Sequence, residues 1–248
     1  MTVDRRRFRS DRLPLDHFDS RFSDDNLAFW PPLFVELAHI RAGDRVLDVG
    51  CGTGGYSIAI AAATSARVTG VDESERFIAR AREKPGAATF VVGDAERLPF
   101  DAASFDRVLL SLVLHQLERP EAALSEAFRV LGDGGIALIR TIAPEDAYDR
   151  IPERYLRRMA DADAARLLPT DAIVEMLEGA GFTQISAKRV LRNKQLSLPA
   201  VEQALRAERA RYDFLTDTEI DSAIRQLRED GGPWVDPRPN TILVATKC

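Results

Sequence analysis

Cysteine is scarce in this sequence, and long apolar runs are missing from it. The two cysteines, Cys51 and Cys248, stand far apart, which excludes a disulfide framework and the spacing of a metal site. Low cysteine usage indicates a reducing compartment, so we expect a cytoplasmic protein with no bound metal. The segment Met1–Arg12 is rich in arginine and carries no apolar run, so it does not resemble a signal peptide. No stretch approaches the roughly 20 apolar residues of a membrane span, and we expect none.

An excess of positive charge is also missing. The 34 Lys and Arg residues are outnumbered by 39 Asp and Glu residues, and the formal net charge is −5. Because binding to phosphate backbones is largely electrostatic, this balance argues against nucleic acid as a partner, with a local basic patch as the open alternative. The 248 residues are enough for one α/β domain with additions.

The most informative stretch is 45–55, which reads RVLDVGCGTGG. A short β-branched run turns into a glycine cluster, and the helix formers of 56–63 follow, so the pattern predicts a strand, a tight turn and a helix. Three of the glycines satisfy the G-x-G-x-x-G pattern of dinucleotide sites. Asp48, ahead of the first glycine, would repel a pyrophosphate and attract a ligand that carries an ammonium and a sulfonium. The charge therefore favours S-adenosylmethionine over NAD.

Two further acids stand at the ends of predicted strands. Asp72 ends the second strand, 66–72, and Asp94 follows the third strand, 89–92. Because strand ends of a parallel sheet share one edge, Asp48, Asp72 and Asp94 should line one crevice. Asp72 lies about 20 residues beyond the glycine cluster, the spacing at which a carboxylate reaches ribose hydroxyls. Helix capping by Asp72 and an Asx-turn at Asp94 are the alternatives.

The sequence D-V-G-C-G-T-G at 48–54 resembles the first motif of the class I S-adenosylmethionine-dependent methyltransferases. Leu-Pro-Phe at 98–100, ahead of Ser-Phe-Asp at 104–106, is typical of the small-molecule branch, the methyltransferase type 11 or ubiquinone/menaquinone type. The resemblance implies S-adenosyl-L-methionine as cofactor and S-adenosyl-L-homocysteine as product. It also implies an α/β fold with a Rossmann-like, doubly wound, seven-stranded sheet, mostly parallel with the last strand antiparallel, plus helical cap elements.

The resemblance assigns cofactor-binding residues as well. These positions are Asp48, Gly50, Cys51, Gly52, Thr53, Gly54, Asp72, Glu73, Asp94, Ala95 and Ser111. In the family, the acid that matches Asp94 accepts from the adenine amino group, and the next backbone N–H, here of Ala95, serves a ring nitrogen. Two departures stand out: Glu73 lies where an apolar residue often covers adenine, and Asp133 replaces the proline of the family's L-x-P-G-G turn. The first departure puts the adenine packing in question and leaves the ribose contact untouched.

We expect one methyltransferase domain over 1–248. Its parts are N-terminal cap helices at 1–40, a cofactor-binding core at 41–143, a helical insertion over the substrate site at 144–170, and the C-terminal part of the sheet at 171–248 with a helical insertion at 192–239. Residues 1–15 are charged and predicted to be frayed or to dock loosely. Pro31-Pro32 is predicted to start a new helix, and 132–135 to form a turn before the fifth strand.

Several side chains are candidates for catalysis or for contact with an acceptor. His115 follows the fourth strand, where a general base would be useful, and packing at the turn is the alternative. Phe18 and Phe22 lie four residues apart on one helix face, either as core residues or as a lid that contacts the substrate. Tyr148 and Tyr155 lie in the insertion and are candidate acceptor contacts, with a solvated amphipathic helix as the alternative.

The function that this pattern predicts is methyl transfer to a small-molecule acceptor by inline displacement. The protein mainly has to hold donor and nucleophile in line, and a general base is optional. A non-catalytic S-adenosylmethionine-binding protein and an NAD-dependent oxidoreductase are the alternatives, the second disfavoured by Asp48. A nucleic-acid acceptor lacks support, because Ser-Leu-Val-Leu at 111–114 stands where an Asn/Asp-Pro-Pro-aromatic motif would follow the fourth strand.

Overall fold

A computed structural model describes residues 15–248 of the chain. Residues 1–14, and with them most of the segment predicted to dock loosely, lie outside the described residues. The strands of the described part are β1 (Arg45–Val49), β2 (Arg67–Asp72), β3 (Thr89–Val92), β4 (Phe105–Ser111), β5 (Leu131–Thr141), β6 (Thr183–Val190), β7 (Lys194–Leu196), β8 (Trp234–Asp236) and β9 (Asn240–Thr246).

Helices alternate with the first five strands and then follow one another. They are α1 (Leu15–Asp19), α2 (Asp24–Leu37), α3 (Gly55–Thr64), α4 (Glu75–Glu83), α5 (Pro120–Val130), α6 (Ile151–Tyr155), α7 (Arg157–Ala164), α8 (Thr170–Ala180), α9 (Leu198–Arg211) and α10 (Asp217–Asp230). Among the described helices, none has the length and the apolar character that a bilayer span requires.

Seven of the described strands form one sheet in the order β3-β2-β1-β4-β5-β9-β6. Strand β1 pairs in parallel with β2 and β4, and the parallel register continues outward to β3 and β5. The last strand, β9, lies between β5 and β6. Gly134 N–H donates to the Lys247 carbonyl, and Lys247 N–H donates to the Gly135 carbonyl, so the end of β9 lies beside the start of β5. This arrangement confirms the predicted sheet, with its last strand antiparallel.

The inner strands are buried on both faces, as strands of a parallel sheet between two helical layers must be. Residues Val108, Leu109 and Leu110 of β4 are at most 1% exposed, and Ala137, Leu138 and Ile139 of β5 are fully buried. These continuous apolar runs explain why the strand positions could be read from the sequence. The parallel register of β1 with β2 and with β4 places the carboxyl ends of these three strands at one edge of the sheet.

Two local predictions are wrong. Pro31 and Pro32 do not start a helix, because α2 begins at Asp24 and runs through both prolines. Burial of Trp30 and Phe34, each at most 2% exposed, offsets the backbone hydrogen bonds that the prolines cannot donate. The fifth strand starts at Leu131 and not after 132–135. These residues loop out of the ladder with β4, where Phe105 pairs with Leu131 and Arg107 with Ile136, but their backbone bonds with Lys247 keep them in the sheet.

The described residues divide into two compact units. One unit comprises the residues up to Thr141 together with Thr170–Ala187 and Ile242–Cys248, and the other comprises Ile142–Pro169 and Lys188–Thr241. The second unit therefore gathers the two predicted insertions. Its core contains Met159 of α7, Val201 of α9 and Leu227 of α10, all fully buried, and β7 pairs with β8 in antiparallel fashion. The prediction of a single domain over the whole chain stays a prediction.

Candidate cofactor site at the carboxyl ends of the strands

The glycine loop, residues 50–54, connects β1 to α3. Its backbone is tied to β2, because the N–H groups of Gly50 and Cys51 both donate to the Val71 carbonyl, at 2.8 and 3.1 Å. Gly54 precedes the first residue of α3 with φ +80°, and a Cβ there would lie 2.6 Å from the Phe90 ring. The loop thus needs glycine at Gly54 both for the backbone conformation and for the close approach of a side chain.

Asp72 joins the glycine loop to the start of α4. Its two carboxylate oxygens accept from Gly52 N–H at 2.9 Å and from Ser74 N–H at 3.0 Å. Burial raises the pKa of Asp72, and the two N–H groups oppose that rise. The Ser74 hydroxyl accepts from Phe77 N–H and caps α4, whereas Asp72 accepts from the N–H of Ser74 itself, so the capping alternative stays open for Asp72. The carboxylate is held in one orientation beside the loop.

Asp48 lies in β1, two residues before the glycine loop, and is 3% exposed. Ser57, fully buried in the first turns of α3, donates its hydroxyl to Asp48 Oδ2 at 2.5 Å. The pKa of Asp48 is raised to about 6, mainly by burial; the Ser57 hydrogen bond opposes the rise and the Asp72 charge adds to it. A cation placed next to this carboxylate would stabilise the ionised form. The sequence did not predict that Ser57 would bond to Asp48. The one signal was a polar residue within an otherwise apolar helix.

The acids after β2 and β3 form the other side of this region. Asp94 makes the Asx-turn named as its alternative, since Asp94 Oδ1 accepts from Glu96 N–H at 2.8 Å. Partial burial raises the pKa of Glu73, and the charges of Asp72 and Asp94 raise it further. The parallel register pairs Asp48 with Gly70 and Asp72 with Val92, and Gly93 N–H donates to the Asp72 carbonyl at 3.0 Å. The strand-end acids Asp48, Asp72 and Asp94 therefore lie at the same edge of the sheet.

Cys51 serves packing rather than chemistry. It is 5% exposed and contacts Ile78, Ala81 and Phe90. Burial raises the pKa of its thiol, and the charges of Asp48 and Asp72 raise it further, so the thiol stays protonated. Among the residues that the structure describes, no group of three or more His, Cys, Asp or Glu side chains could hold a metal ion.

The end of β4 provides a third group of site residues. Ser111 Oγ is buried and has no hydrogen-bond partner among the described atoms. Leu112 follows with φ +58°, a conformation that strains a leucine, and its N–H donates to the Arg140 carbonyl at 2.8 Å. His115 lies half-buried in the 3-10 turn Leu114–Gln116 that comes next. Strained backbone beside a hydroxyl without a partner is a feature of ligand sites.

Aromatic residues cover the start of α3. Phe18 is 6% exposed, with its ring centroid 4.5 Å from that of Phe77. Phe22 meets the edge of the Tyr56 ring at 4.9 Å, and a Cβ on Gly55 would overlap the Phe22 ring. Both side chains therefore pack within the fold next to the glycine loop. Their contact with substrate stays a prediction.

Two polar clusters were missed by sequence reasoning. The Arg140 guanidinium lies 3.6 Å from the centre of the Trp30 ring and donates to the Tyr56 hydroxyl at 3.2 Å, at the end of β5. In the second cluster, Asp19 of α1 accepts from Thr53 of the glycine loop and from Lys84 and Arg80. Both clusters join residues that are far apart in the chain, and no local pattern marks them.

The candidate acceptor residues Tyr148 and Tyr155 lie in the second unit. Tyr148 donates to Asp161 at 3.1 Å, and Tyr155 donates to Asp230 at 2.7 Å. Burial raises the pKa of Tyr155 to about 12, as does the Asp230 carboxylate. Tyr155 also lines a cavity of about 110 Å³ together with Ile151, Arg154, Asp230, Gly232, Pro233 and Trp234. The role of both tyrosines toward an acceptor stays a prediction.

The region that contains the glycine loop and the strand-end acids is similar to known proteins. A family described as "Methyltransferase domain" matches residues 47–139. Among curated proteins, the ubiquinone/menaquinone biosynthesis C-methyltransferase UbiE of Roseobacter denitrificans is 30% identical over 179 residues, which cover 62% of this chain and 72% of that protein.

Solved structures share the fold at low sequence identity. A candidate methyltransferase from an antibiotic biosynthesis pathway of Anabaena variabilis has a TM-score of 0.72 at 22% identity, covering 87% of this chain and 96% of that one. Phosphoethanolamine N-methyltransferase 2 of Haemonchus contortus, in complex with phosphomonomethylethanolamine and S-adenosylhomocysteine, has a TM-score of 0.56 at 20% identity. That match covers 95% of this chain and 61% of the nematode protein.

Proposed function

Because the chain belongs to the S-adenosylmethionine-dependent methyltransferases, we propose that the glycine loop and the strand-end acids bind S-adenosylmethionine for methyl transfer to a small-molecule acceptor. One observation carries the proposal: a buried carboxylate, Asp48, lies two residues before a glycine loop whose Gly52 N–H is held by a second carboxylate, Asp72. Two carboxylates next to the loop disfavour a pyrophosphate and favour a cationic ligand.

The residues around the loop fit the parts of this cofactor. A Cβ on Gly52 would have open space around it, so the loop leaves room for a ligand next to bare backbone. Asp72 would hold the ribose hydroxyls, and Asp94 with the Ala95 N–H would hold the adenine edge. Asp48 would stabilise the positively charged amino-acid end. Ser111 Oγ, buried without a partner among the described atoms, would gain one in the complex.

The chemistry is carried mainly by the cofactor, whose sulfonium makes the attached methyl group electrophilic when it is bound. The chain's own residues then hold the two reactants in line, which can lower the barrier by several kcal/mol. The acidic site binds a cation more tightly than a neutral thioether, which favours release of the product. His115, directly after β4, is the residue that would accept a proton if the acceptor needs a base.

The acceptor is proposed to be a small molecule, from the branch of the family that the sequence resembles. The curated relative described above is named for a C-methyltransferase of quinone biosynthesis. The net charge of −5 does not favour a phosphate-rich macromolecule. The proposal covers acceptors with oxygen, nitrogen or carbon nucleophiles.

Calorimetric titration of the full chain tests the cofactor. We expect heat of binding from S-adenosylmethionine and from S-adenosylhomocysteine, and none from NAD. In Asp72→Asn the affinity for both should fall at least about tenfold, because a neutral amide replaces the carboxylate. The matched control is Asp106→Asn, which removes an ion pair with Arg45 at the opposite ends of β1 and β4. Absence of heat from both nucleosides would refute the proposal.

Transfer of labelled methyl from S-adenosylmethionine into a metabolite extract tests catalysis. A labelled small molecule that forms with the wild-type chain, and forms more slowly with Asp72→Asn at a limiting concentration of S-adenosylmethionine, supports the transferase. Binding without transfer into any small-molecule fraction would instead favour the non-catalytic alternative. Label in added tRNA or DNA, with none in metabolites, would move the acceptor to nucleic acid.

A further inference from the structure

Asp19, at the end of α1, contacts the glycine loop and α4 together. Its Oδ1 accepts from the Thr53 hydroxyl at 2.6 Å and from Lys84 Nζ at 2.7 Å, and its Oδ2 accepts from Arg80 Nε at 3.0 Å. These partners lie 34, 65 and 61 residues away in the chain. The carboxylate is 21% exposed, so solvent reaches the cluster.

Lys84 is bonded directly to Thr53 of the glycine loop as well as to Asp19. Besides Asp19, its ammonium donates to the Thr53 carbonyl at 2.7 Å and to the Thr53 hydroxyl at 3.0 Å. Thr53 itself is fully buried. The hydroxyl and the carbonyl of Thr53 are therefore held by a single ion pair, Asp19 with Lys84. Partial burial raises the pKa of Asp19, but the bonds from Lys84, Thr53 and Arg80 lower it to about 2, so the carboxylate stays ionised.

Aromatic contacts extend the same attachment. The N-terminal segment, Leu15–Phe22, places Phe18 against Phe77 of α4 and Phe22 against Tyr56 of α3. Lys84 Nζ also lies 5.4 Å from the centre of the Phe22 ring. The segment thus rests on the first turn of α3, directly after the glycine loop. It is fastened by one charged cluster at its centre and one aromatic ring on either side.

We propose that Asp19 is a positioning residue for the cofactor, fixing Thr53 in the glycine loop and fastening the N-terminal segment beside it, so that cofactor exchange requires these bonds to break. The inference rests on the proposed function. Charge-assisted bonds on a partly exposed carboxylate are strong enough to hold the loop and weak enough to open. The expected consequence is slow exchange of ligand that speeds up with ionic strength.

The test measures dissociation of S-adenosylhomocysteine from the full chain by stopped-flow displacement at low and high salt. Asp19→Asn should raise the dissociation rate about tenfold and reduce its salt dependence. Asp19→Glu keeps the negative charge, so its dissociation rate should lie between those of wild type and Asp19→Asn. Hydrogen exchange of the ligand-free protein should show faster exchange at residues 15–22 and at the glycine loop in Asp19→Asn.

A control separates positioning from general stability. Asp106→Asn also removes a carboxylate from an ion pair in the same unit, and it should leave the dissociation rate unchanged. If Asp19→Asn does not fold, Lys84→Gln tests the same link from the other side, with the same expected rise in rate.

The outcomes separate the two proposals. A wild-type chain that does not bind S-adenosylhomocysteine refutes the proposed function. A wild type that binds, with a variant whose dissociation rate and loop exchange match it, overturns the positioning role alone. An equal rise in the Asp106 control overturns that role as well, because the effect then follows from lost stability.

Discussion

Replacing Asp48 with asparagine should raise the stability of the ligand-free protein and lower its affinity for a cationic ligand. Asp48 is 3% exposed, and burial raises the pKa of its carboxyl from 3.8 to about 6. A group whose pKa is higher in the folded state contributes stability below its unfolded pKa and loses it as pH rises through the folded pKa. Ionised Asp48 therefore destabilises the ligand-free fold at neutral pH.

The magnitude follows from the two pKa values, 3.8 and about 6. At about 1.4 kcal/mol per pKa unit, the cost is about 3 kcal/mol at pH of about 8 and roughly half of that at pH of about 5. Asparagine keeps an oxygen that can accept from the Ser57 hydroxyl, so the bond of 2.5 Å has a neutral replacement. We expect Asp48→Asn to be more stable than wild type, with the larger gain at the higher pH.

Urea denaturation at both pH values measures the gain, and calorimetry with S-adenosylmethionine measures the loss. The affinity of wild type should rise with pH between about 5 and 7, as Asp48 ionises, and that dependence should be absent from Asp48→Asn. A stability difference that does not change with pH would contradict the assigned burial effect. Equal affinity in the two proteins at neutral pH would refute the role of Asp48 toward the cation.

Three other substitutions test neighbouring parts of the site. Gly54→Ala should lower the free energy of unfolding by about 3 kcal/mol or more in urea denaturation, since positive φ and overlap with Phe90 add, whereas Gly134→Ala, with φ +73° and open space, should cost about 1 kcal/mol. Ser57→Ala should raise the pKa of Asp48 and shift the pH dependence of S-adenosylmethionine affinity upward. Ser74→Ala should cost about 1 kcal/mol, measured by thermal unfolding, because α4 loses its cap.

Each of these three predictions can be contradicted by a specific result. Equal losses in the two glycine variants would show that the Phe90 contact carries no energy. An unchanged pH profile in Ser57→Ala would remove the hydroxyl from the electrostatics of Asp48. A Ser74 variant as stable as wild type would mean that the N–H groups at the start of α4 find other acceptors.

The predictable part of the fold lies where the pattern is local. Strand β3 was predicted with the bounds that the structure gives it, because a short β-branched run can be recognised within a few residues. The acids at strand ends were also readable, since parallel strands end at one edge of the sheet. Asp48 and Asp72 are held beside one loop for this reason.

The errors have a different origin. The helix through Pro31 and Pro32 is stabilised by burial of Trp30 and Phe34, which propensity does not include. Strands β7 and β8 are three residues each and form a pair across 40 residues of chain, so neither has a pattern long enough to read. Ser57 becomes important only because α3 turns it toward a carboxylate nine residues earlier.

The amino-acid sequence by itself determined the glycine loop, the acids around it and the family to which the chain belongs, because each depends on residue types at short, fixed spacing. Tertiary structure decided which carboxylates are buried, which donors hold them and what fastens the N-terminal segment beside the loop. Asp19, Thr53 and Lys84 are ordinary residues until folding brings them within hydrogen-bond distance. Burial and long-range contact set the energies of the site, and neither is a property of a short stretch of chain.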